Sequence, residues 1–145
     1  MTDQTTPAAP RGIRNNNPGN IKELRGDSTQ WVGERATDDD PLFEEFETPE
    51  DGIRALVKIL RNYKRLYNIS MVSSIITRWA PSVENDTKAY IRAVCERMCV
   101  SPFEDLDMDN RYQLRLLAVA IIHHENGMMP YSPEQLAEGV DRAFS

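Results

Sequence analysis

Cysteine is scarce in this chain of 145 residues, which contains only Cys95 and Cys99. One pair of cysteines, four positions apart in a helical-looking stretch, does not make a disulfide framework. Without a second cysteine pair, both residues fit a core face of a helix better than half of a metal site. We therefore expect neither a disulfide scaffold nor a bound metal, and no feature of the sequence indicates a cofactor.

Long apolar runs are also missing. No stretch approaches the roughly 18 apolar residues of a membrane-spanning helix. Residues 1–10, MTDQTTPAAP, have neither the basic region nor the apolar stretch of a signal peptide. The sequence predicts a protein that is made in the cytoplasm without a signal peptide and does not insert into a membrane.

Basic residues are outnumbered, with 17 Lys and Arg against 23 Asp and Glu and a formal net charge of −6. This sign disfavours a dedicated nucleic-acid binder. The excess is local, because residues 36–51 contain eight acids and no base whereas residues 52–98 contain nine bases and three acids. We interpret the acidic run as a solvated loop. A cleft for a negatively charged target is expected near the basic stretch.

The remaining composition is that of an ordinary globular protein, with 40% hydrophobic and 28% charged residues. Residues 1–10 are predicted to be a flexible leader, and residues 11–145 a single domain. The hydrophobic spacing predicts a mostly α fold with a small β-hairpin or irregular element near the N-terminus. The predicted helices are capped by Thr48, Ser70, Asn85 or Asp86, Asp109 and Ser132.

The helix that is predicted to start at Asp109 is the most apolar of the five and ends in a carboxylate. At about 100° per residue, Glu125 lies on the same side as Ala118 and Ile121. Desolvation and the negative end of the helix dipole both favour a protonated carboxyl there. General-acid cleavage of a glycosidic bond needs such a group, which makes Glu125 the candidate catalytic residue. The alternative is a glutamate that turns to solvent beside Gly127 or pairs with a base.

Other catalytic chemistries lack their motifs. The adjacent His123 and His124 point about 100° apart on a helix, so they do not chelate one metal together. The chain contains no Gly-x-Ser-x-Gly nucleophile motif and no glycine-rich phosphate loop. Serine hydrolases and P-loop enzymes are therefore set aside.

Seven short strings occur in a recognisable order: RGIRNNNPGN (11–20), WVG (31–33), FEEF (43–46), DGIRA (51–55), WAP (79–81), ENDTKAY (84–90) and HENG (124–127). Together they resemble a group of small phage and prophage proteins, often called virion structural proteins, that are similar to lysozyme-like peptidoglycan hydrolases. The resemblance runs from Arg11 to about Ala143 and implies a lysozyme-like helical domain.

The chain is also similar to lytic transglycosylases, in which a catalytic Glu ends an apolar helix, a loop lines the cleft and a Tyr approaches the Glu. By this resemblance Glu125 is the catalytic residue, residues 15–20 form the cleft loop and Tyr90 approaches the reacting sugar. The helix with the Glu comes last here, which implies a circularly permuted order. Flagellar-type glucosaminidases resemble residues 16–46 but carry their catalytic Glu upstream of that segment.

The resemblance implies that the protein is a lytic transglycosylase or muramidase that cleaves peptidoglycan at the MurNAc-β-1,4-GlcNAc bond. It would act in phage lysis or cell-wall penetration, and it would reach the bacterial cell wall from the cytoplasm by means of another factor or as part of a virion. The implied substrate-binding residues are Tyr90, Asn17, Asn20, Asn85 and Thr87. Glu34 and Asp38 are candidates for a second carboxylate.

Several alternatives stay open. In one alternative, the protein is a non-catalytic virion or secretion-system component that binds peptidoglycan or a partner protein. In another, it is an acidic helical adaptor without any sugar contact. For single residues, the alternative to a site role is a structural one: Tyr90 as a core residue, and Asn15 and Asn16 as residues that only build turns.

Overall fold

The structure of the chain is a computed structural model that describes residues 9–23, 30–37 and 39–145. Within these ranges six helices occur: α1 (Arg11–Arg14), α2 (Pro49–Tyr67), α3 (Val72–Trp79), α4 (Thr87–Met98), α5 (Arg111–Asn126) and α6 (Pro133–Ala143). The predicted mostly α class is therefore confirmed. The predicted flexible leader lies, apart from residues 9 and 10, outside the described residues.

Local signals predict α2 and α6 correctly. The Thr48 side chain accepts a hydrogen bond from the Asp51 N–H, and Pro follows as the first helical residue. Ser132 and Gln135 form a capping box in which each side chain accepts a hydrogen bond from the other residue's backbone N–H. These helices begin where their caps predict, because each capping side chain and the backbone N–H that it binds lie within one helical turn.

Two predicted caps are wrong. The Ser70 hydroxyl donates to Asp105 at 2.7 Å, and α3 begins instead after Met71 without a side-chain cap. The cap of α5 is Asn110, which accepts from the Gln113 N–H, and not its neighbour Asp109. Asp86 caps α4 as predicted. The Ser70 hydroxyl does not cap α3 because it binds Asp105, which lies 35 residues further along the chain.

The element near the N-terminus is irregular. In its described part, residues pair only through the isolated antiparallel bridges Lys22 to Phe43 and Glu34 to Phe46. The short helix α1 is not predicted by the sequence, since four residues offer no hydrophobic period. Scattered backbone hydrogen bonds, such as those from Glu44 N–H to the Ile21 carbonyl and from Phe46 N–H to the Asn15 carbonyl, hold this part of the chain together with side-chain contacts.

The core surrounds α5, which packs against α1, α2, α4 and α6. Its fully buried residues include Leu114, Leu117, Ala118 and Ile121. Cys95 is buried, but Cys99 is exposed at the left-handed end of α4, so its predicted core position is wrong. None of the described helices has the length and apolarity needed to cross a bilayer.

Candidate active site

The Asn-rich loop, residues 15–20, is tied to the chain around it by its own side chains. Asn17 is fully buried, and its amide nitrogen donates to the carbonyls of Ile21 at 2.9 Å and Glu44 at 3.0 Å. Its amide oxygen accepts from the Ile21 N–H. These bonds use both N–H groups of the amide, and the side chain is fully buried, so Asn17 shapes the loop instead of making the substrate contact predicted for it.

A buried carboxylate anchors the start of this loop. Asp40 accepts two hydrogen bonds of 2.6 Å from the Arg11 guanidinium and one of 2.8 Å from Asn15. The Arg11 hydrogen bonds, opposed by desolvation, hold the pKa of Asp40 well below its ordinary value. Asp40 and Glu45 are each only 7% exposed, so the interpretation of the acidic run as a solvated loop is wrong for these two residues.

Two glycines let the Asn-rich loop lie against the helices. A side-chain Cβ at Gly52, in the first turn of α2, would be 1.8 Å from the Asn16 carbonyl oxygen. A Cβ at Gly12 would be 2.6 Å from the Asn126 amide oxygen. Asn126 also donates to the Pro18 carbonyl at 2.7 Å, so the loop is fixed to the end of α5. This contact brings Asn20 next to Glu125.

Glu125 lies half-buried in the last turn of α5 with a donor on each carboxyl oxygen. The Asn20 side-chain nitrogen donates to Oε1 at 2.9 Å. The Tyr90 hydroxyl donates to Oε2 at 2.7 Å. The structure thus brings together the residue of the predicted Glu motif, the predicted Tyr and one Asn of the predicted cleft loop, although they are far apart in the sequence.

Glu125 and Asn20 line an open groove of about 870 Å³. Most of its other lining residues come from the basic stretch 52–98, where the charge pattern predicts the cleft. The groove walls carry several aromatic and apolar side chains and few charges. These other residues are Gly19, Ile21, Lys22, Phe43, Ile59, Tyr63, Arg78, Trp79, Ala80, Pro81, Glu84 and Asn85.

Tyr90 is a buried neighbour of the groove and not one of its lining residues, since its side chain is 2% exposed. Burial, together with the nearby Glu125 carboxylate, raises the pKa of Tyr90 above its ordinary value, so its hydroxyl stays protonated. The His124 ring covers it at a centroid distance of 3.8 Å. Tyr90 therefore reaches the groove only through its hydrogen bond to Glu125.

The remaining predicted site residues separate. Asn85 lines the groove, with its amide donating to the Pro81 carbonyl at 3.2 Å. The Thr87 hydroxyl donates to the Ala80 carbonyl at 2.6 Å, and Thr87 does not line the groove. Glu34 also lies away from it and accepts a hydrogen bond from a backbone N–H of its own turn. Asp38 lies outside the described residues.

The two adjacent histidines meet different partners. The His123 ring nitrogens lie 2.8 and 3.0 Å from the Arg97 guanidinium, whereas His124 packs on Tyr90. Within residues 9–23, 30–37 and 39–145, no group of three or more His, Cys, Asp or Glu is arranged to hold a metal ion.

Sequence reasoning does not find three of the groove's charged residues. Lys22 and Glu84 form an ion pair with each other, while Arg78 stacks on tyrosine rings of α2. For Arg78 the only sequence signal is the basic character of residues 52–98, which does not say which bases face a cleft. Glu84 belongs to the string ENDTKAY, but nothing in that string marks it as a groove residue. Whether these residues face the groove depends on how α3 and the segment after it pack beside the Asn-rich loop.

Comparison with known proteins places the chain beside a bacteriophage protein. No family model matches it. It is 43% identical, over 136 residues, to Protein P5 of Pseudoalteromonas phage PM2, and the match covers 94% of this chain and 83% of that protein. Identity at this level over nearly the whole length shows common descent, and the chain belongs to the same family as Protein P5 of phage PM2.

Proposed function

We propose that the protein cleaves peptidoglycan glycan strands at the MurNAc-β-1,4-GlcNAc bond with Glu125 as general acid and base. The observation that carries this proposal is the half-buried Glu125 carboxyl, oriented by Asn20 and Tyr90 at the wall of an open groove. Both partners are neutral side chains, so they orient the carboxyl without placing a charge beside it. A single carboxyl in such a setting suits proton transfer to and from a sugar oxygen.

The reaction then takes two steps at one residue. Glu125 donates its proton to the bridging oxygen while the bond from that oxygen to the MurNAc anomeric carbon breaks, which leaves an oxocarbenium-like centre. The 6-hydroxyl of the same sugar, or a water molecule, attacks this centre and gives its proton to the Glu125 carboxylate. Tyr90 is a positioning residue, because its hydroxyl holds Oε2 without reaching the groove.

The charges of the groove favour the route through the 6-hydroxyl. Glu84 is the other carboxylate among its described lining residues, and it is paired with Lys22. Retaining and inverting glycosidases place two free carboxyl groups across the scissile bond. Intramolecular capture needs only one, and its product is a 1,6-anhydro sugar.

The chain order and the relatives bear on the wider proposal. The Asn-rich loop, the Tyr of α4 and the Glu of α5 meet in space in an order that differs from that of lytic transglycosylases, which supports a permuted lysozyme-like domain. Kinship with a phage protein supports a role in phage-associated lysis or cell-wall penetration.

Purified sacculi provide the test. Wild-type protein should release soluble muropeptides, and Glu125→Gln should release none while keeping its thermal unfolding midpoint. Glu134→Gln, an exposed glutamate in the first turn of α6, is the matched control and should behave as wild type.

Mass spectrometry of the products separates the chemistries. Anhydro ends indicate a transglycosylase, and reducing ends a hydrolase. Binding to sacculi without release would show the non-catalytic alternative, and absence of both binding and release would contradict any role at peptidoglycan.

A further inference from the structure

Arg78 brings to the groove a positive charge that none of the described residues pairs with. It lies near the end of α3 and lines the same groove as Glu125. The other basic lining residue, Lys22, is paired with Glu84. Among the described residues Arg78 makes no ion pair, so its charge is available to a ligand. A cation facing a groove without a partner indicates an anionic group on whatever fills the groove.

Aromatic rings support the Arg78 guanidinium. Its central carbon lies 3.8 Å from the centroid of the Tyr67 ring and 5.5 Å from that of Tyr63, a lining residue of the groove. Stacking on aromatic faces restrains a guanidinium while leaving its edge N–H groups free to donate. A restrained planar fork of donors matches a carboxylate, which it binds through two parallel hydrogen bonds.

The surroundings of Arg78 suit an amphipathic polymer better than a small ion. Trp79 follows it on α3 and, with Ile59, lines the groove beside it. Sugar rings have apolar faces that pack on such side chains, whereas a free phosphate gains nothing from them. The combination of apolar wall and arginine therefore fits a glycan that carries carboxylates.

We propose that Arg78 forms a carboxylate subsite, which selects acidic peptidoglycan strands over neutral chitin-type strands. This inference rests on the proposed function of the groove. The carboxylate belongs either to the lactyl ether of muramic acid or to the stem peptide attached to it. Both sources offer the same group to the same guanidinium, and substrates that carry one or the other separate them.

Cleavage kinetics on three substrates test the subsite. Intact strands carry stem-peptide carboxylates, amidase-stripped strands carry the free lactyl carboxylate, and chitooligosaccharides carry none. Arg78→Gln should raise KM about tenfold on the acidic strand whose carboxylate is bound, the change that corresponds to roughly 1.4 kcal/mol. We expect kcat to change little and chitooligosaccharides to be unaffected. Arg78→Lys, which keeps the charge without the fork, should recover part of the loss.

The control is Arg92→Gln, which removes an exposed arginine of α4 outside this groove. A KM increase on intact strands alone assigns the stem peptide, and one on stripped strands alone assigns the lactyl group. Equal KM values for wild type and Arg78→Gln on all substrates, or an equal loss on chitooligosaccharides, overturn the subsite.

A failure of the proposed function can be told apart from a failure of the subsite, because the wild-type protein would then cleave none of the three substrates. Calorimetric binding still tests Arg78 in that case. The Glu125→Gln variant should bind the acidic strands about tenfold more tightly than the Glu125→Gln, Arg78→Gln double variant. Equal affinities of the two variants would overturn the subsite without reference to cleavage.

Discussion

The front region, which comprises the described residues up to Thr48, and the helical region, α2 to α6, are held together by different interactions. The front region buries polar groups, among them Asn17 and Asp40, and binds them by hydrogen bonds between residues far apart in the chain. The helical region buries apolar side chains such as Leu117 and Ile121 around α5. Apolar packing dominates the helical region, whereas the front region combines a small apolar cluster around Phe46 with buried hydrogen bonds.

This difference matters because the candidate site lies at the junction. Asn20 comes from the front region, whereas Glu125 and Tyr90 come from the helical region. Apolar packing tolerates small shifts, but a buried hydrogen bond weakens steeply when its geometry changes. Damage to the front region should therefore reduce activity before the helical region unfolds.

Leu117→Ala should cause the largest loss of stability. Leu117 is fully buried in α5, and its truncation removes apolar contacts and leaves a cavity, which costs about 2 to 5 kcal/mol. Urea denaturation followed by circular dichroism measures the loss. Leu66→Ala, at a side chain of α2 that is 56% exposed, should change the free energy of unfolding by less than about 0.5 kcal/mol. Equal effects of both variants would contradict the central position of α5.

Asp40→Ala should cost roughly 2 to 3 kcal/mol, because it leaves the Asn15 amide and two backbone N–H groups without their acceptor. Its effect should concentrate in the front region. Amide hydrogen exchange should rise in residues 9–23 while α5 stays protected, and cleavage of sacculi should fall with it. Asp39→Ala, at the exposed neighbouring position, is the control. Uniform loss of protection would show that the two regions unfold together.

Acid should loosen the front region through the same carboxylate. The pKa of Asp40 is lowered from its ordinary value of 3.8, chiefly by the Arg11 hydrogen bonds. Its contribution to stability is therefore full above pH 3.8 and is lost as the pH falls toward the lower pKa of the folded state. From about pH 5 to about pH 2.5, the free energy of unfolding should fall more steeply in wild type than in Asp40→Asn. Parallel curves would contradict this coupling.

Among the substitutions of buried residues, Tyr90→Phe should change stability least. It separates the role of the Tyr90 hydroxyl in positioning Glu125 from the role of the Tyr90 ring in the core. The ring stays in the core, so the loss of one hydrogen bond should cost about 1 kcal/mol. Glu125 loses the donor on Oε2, and kcat on peptidoglycan strands should fall about tenfold with little change in KM. Tyr112→Phe, at a ring that is 66% exposed, should leave both constants unchanged. An unaltered kcat in Tyr90→Phe would restrict Tyr90 to a core role.

Sequence patterns predict the helical region well because its signals are local. The caps at Thr48, Asp86 and Ser132 and the apolar period between them lie within a few residues of the helices they define. The prediction fails at Ser70, whose hydroxyl binds Asp105 far along the chain. Local propensity does not contain the position of a distant competitor.

In the candidate site, the sequence identifies residues but not their geometry. The placement of Glu125 at the end of an apolar helix follows from its period, and the resemblance adds Tyr90 and Asn20. The structure shows instead that Asn17 and Thr87 donate to backbone carbonyls, and that Arg78 faces the groove. These differences depend on side-chain directions across elements, which composition and spacing do not encode.

By itself, the sequence determines a mostly α protein with a central apolar helix that ends in a carboxylate, because hydrophobic period and caps act over one or two turns. Only the tertiary structure decides that the Asn-rich loop reaches that carboxylate. The glycine at position 52 leaves room for the loop, and Asn126 and Asp40 bind its two ends. Such contacts join residues that are 25 to 108 positions apart, and their energies exist only once folding has brought those segments together.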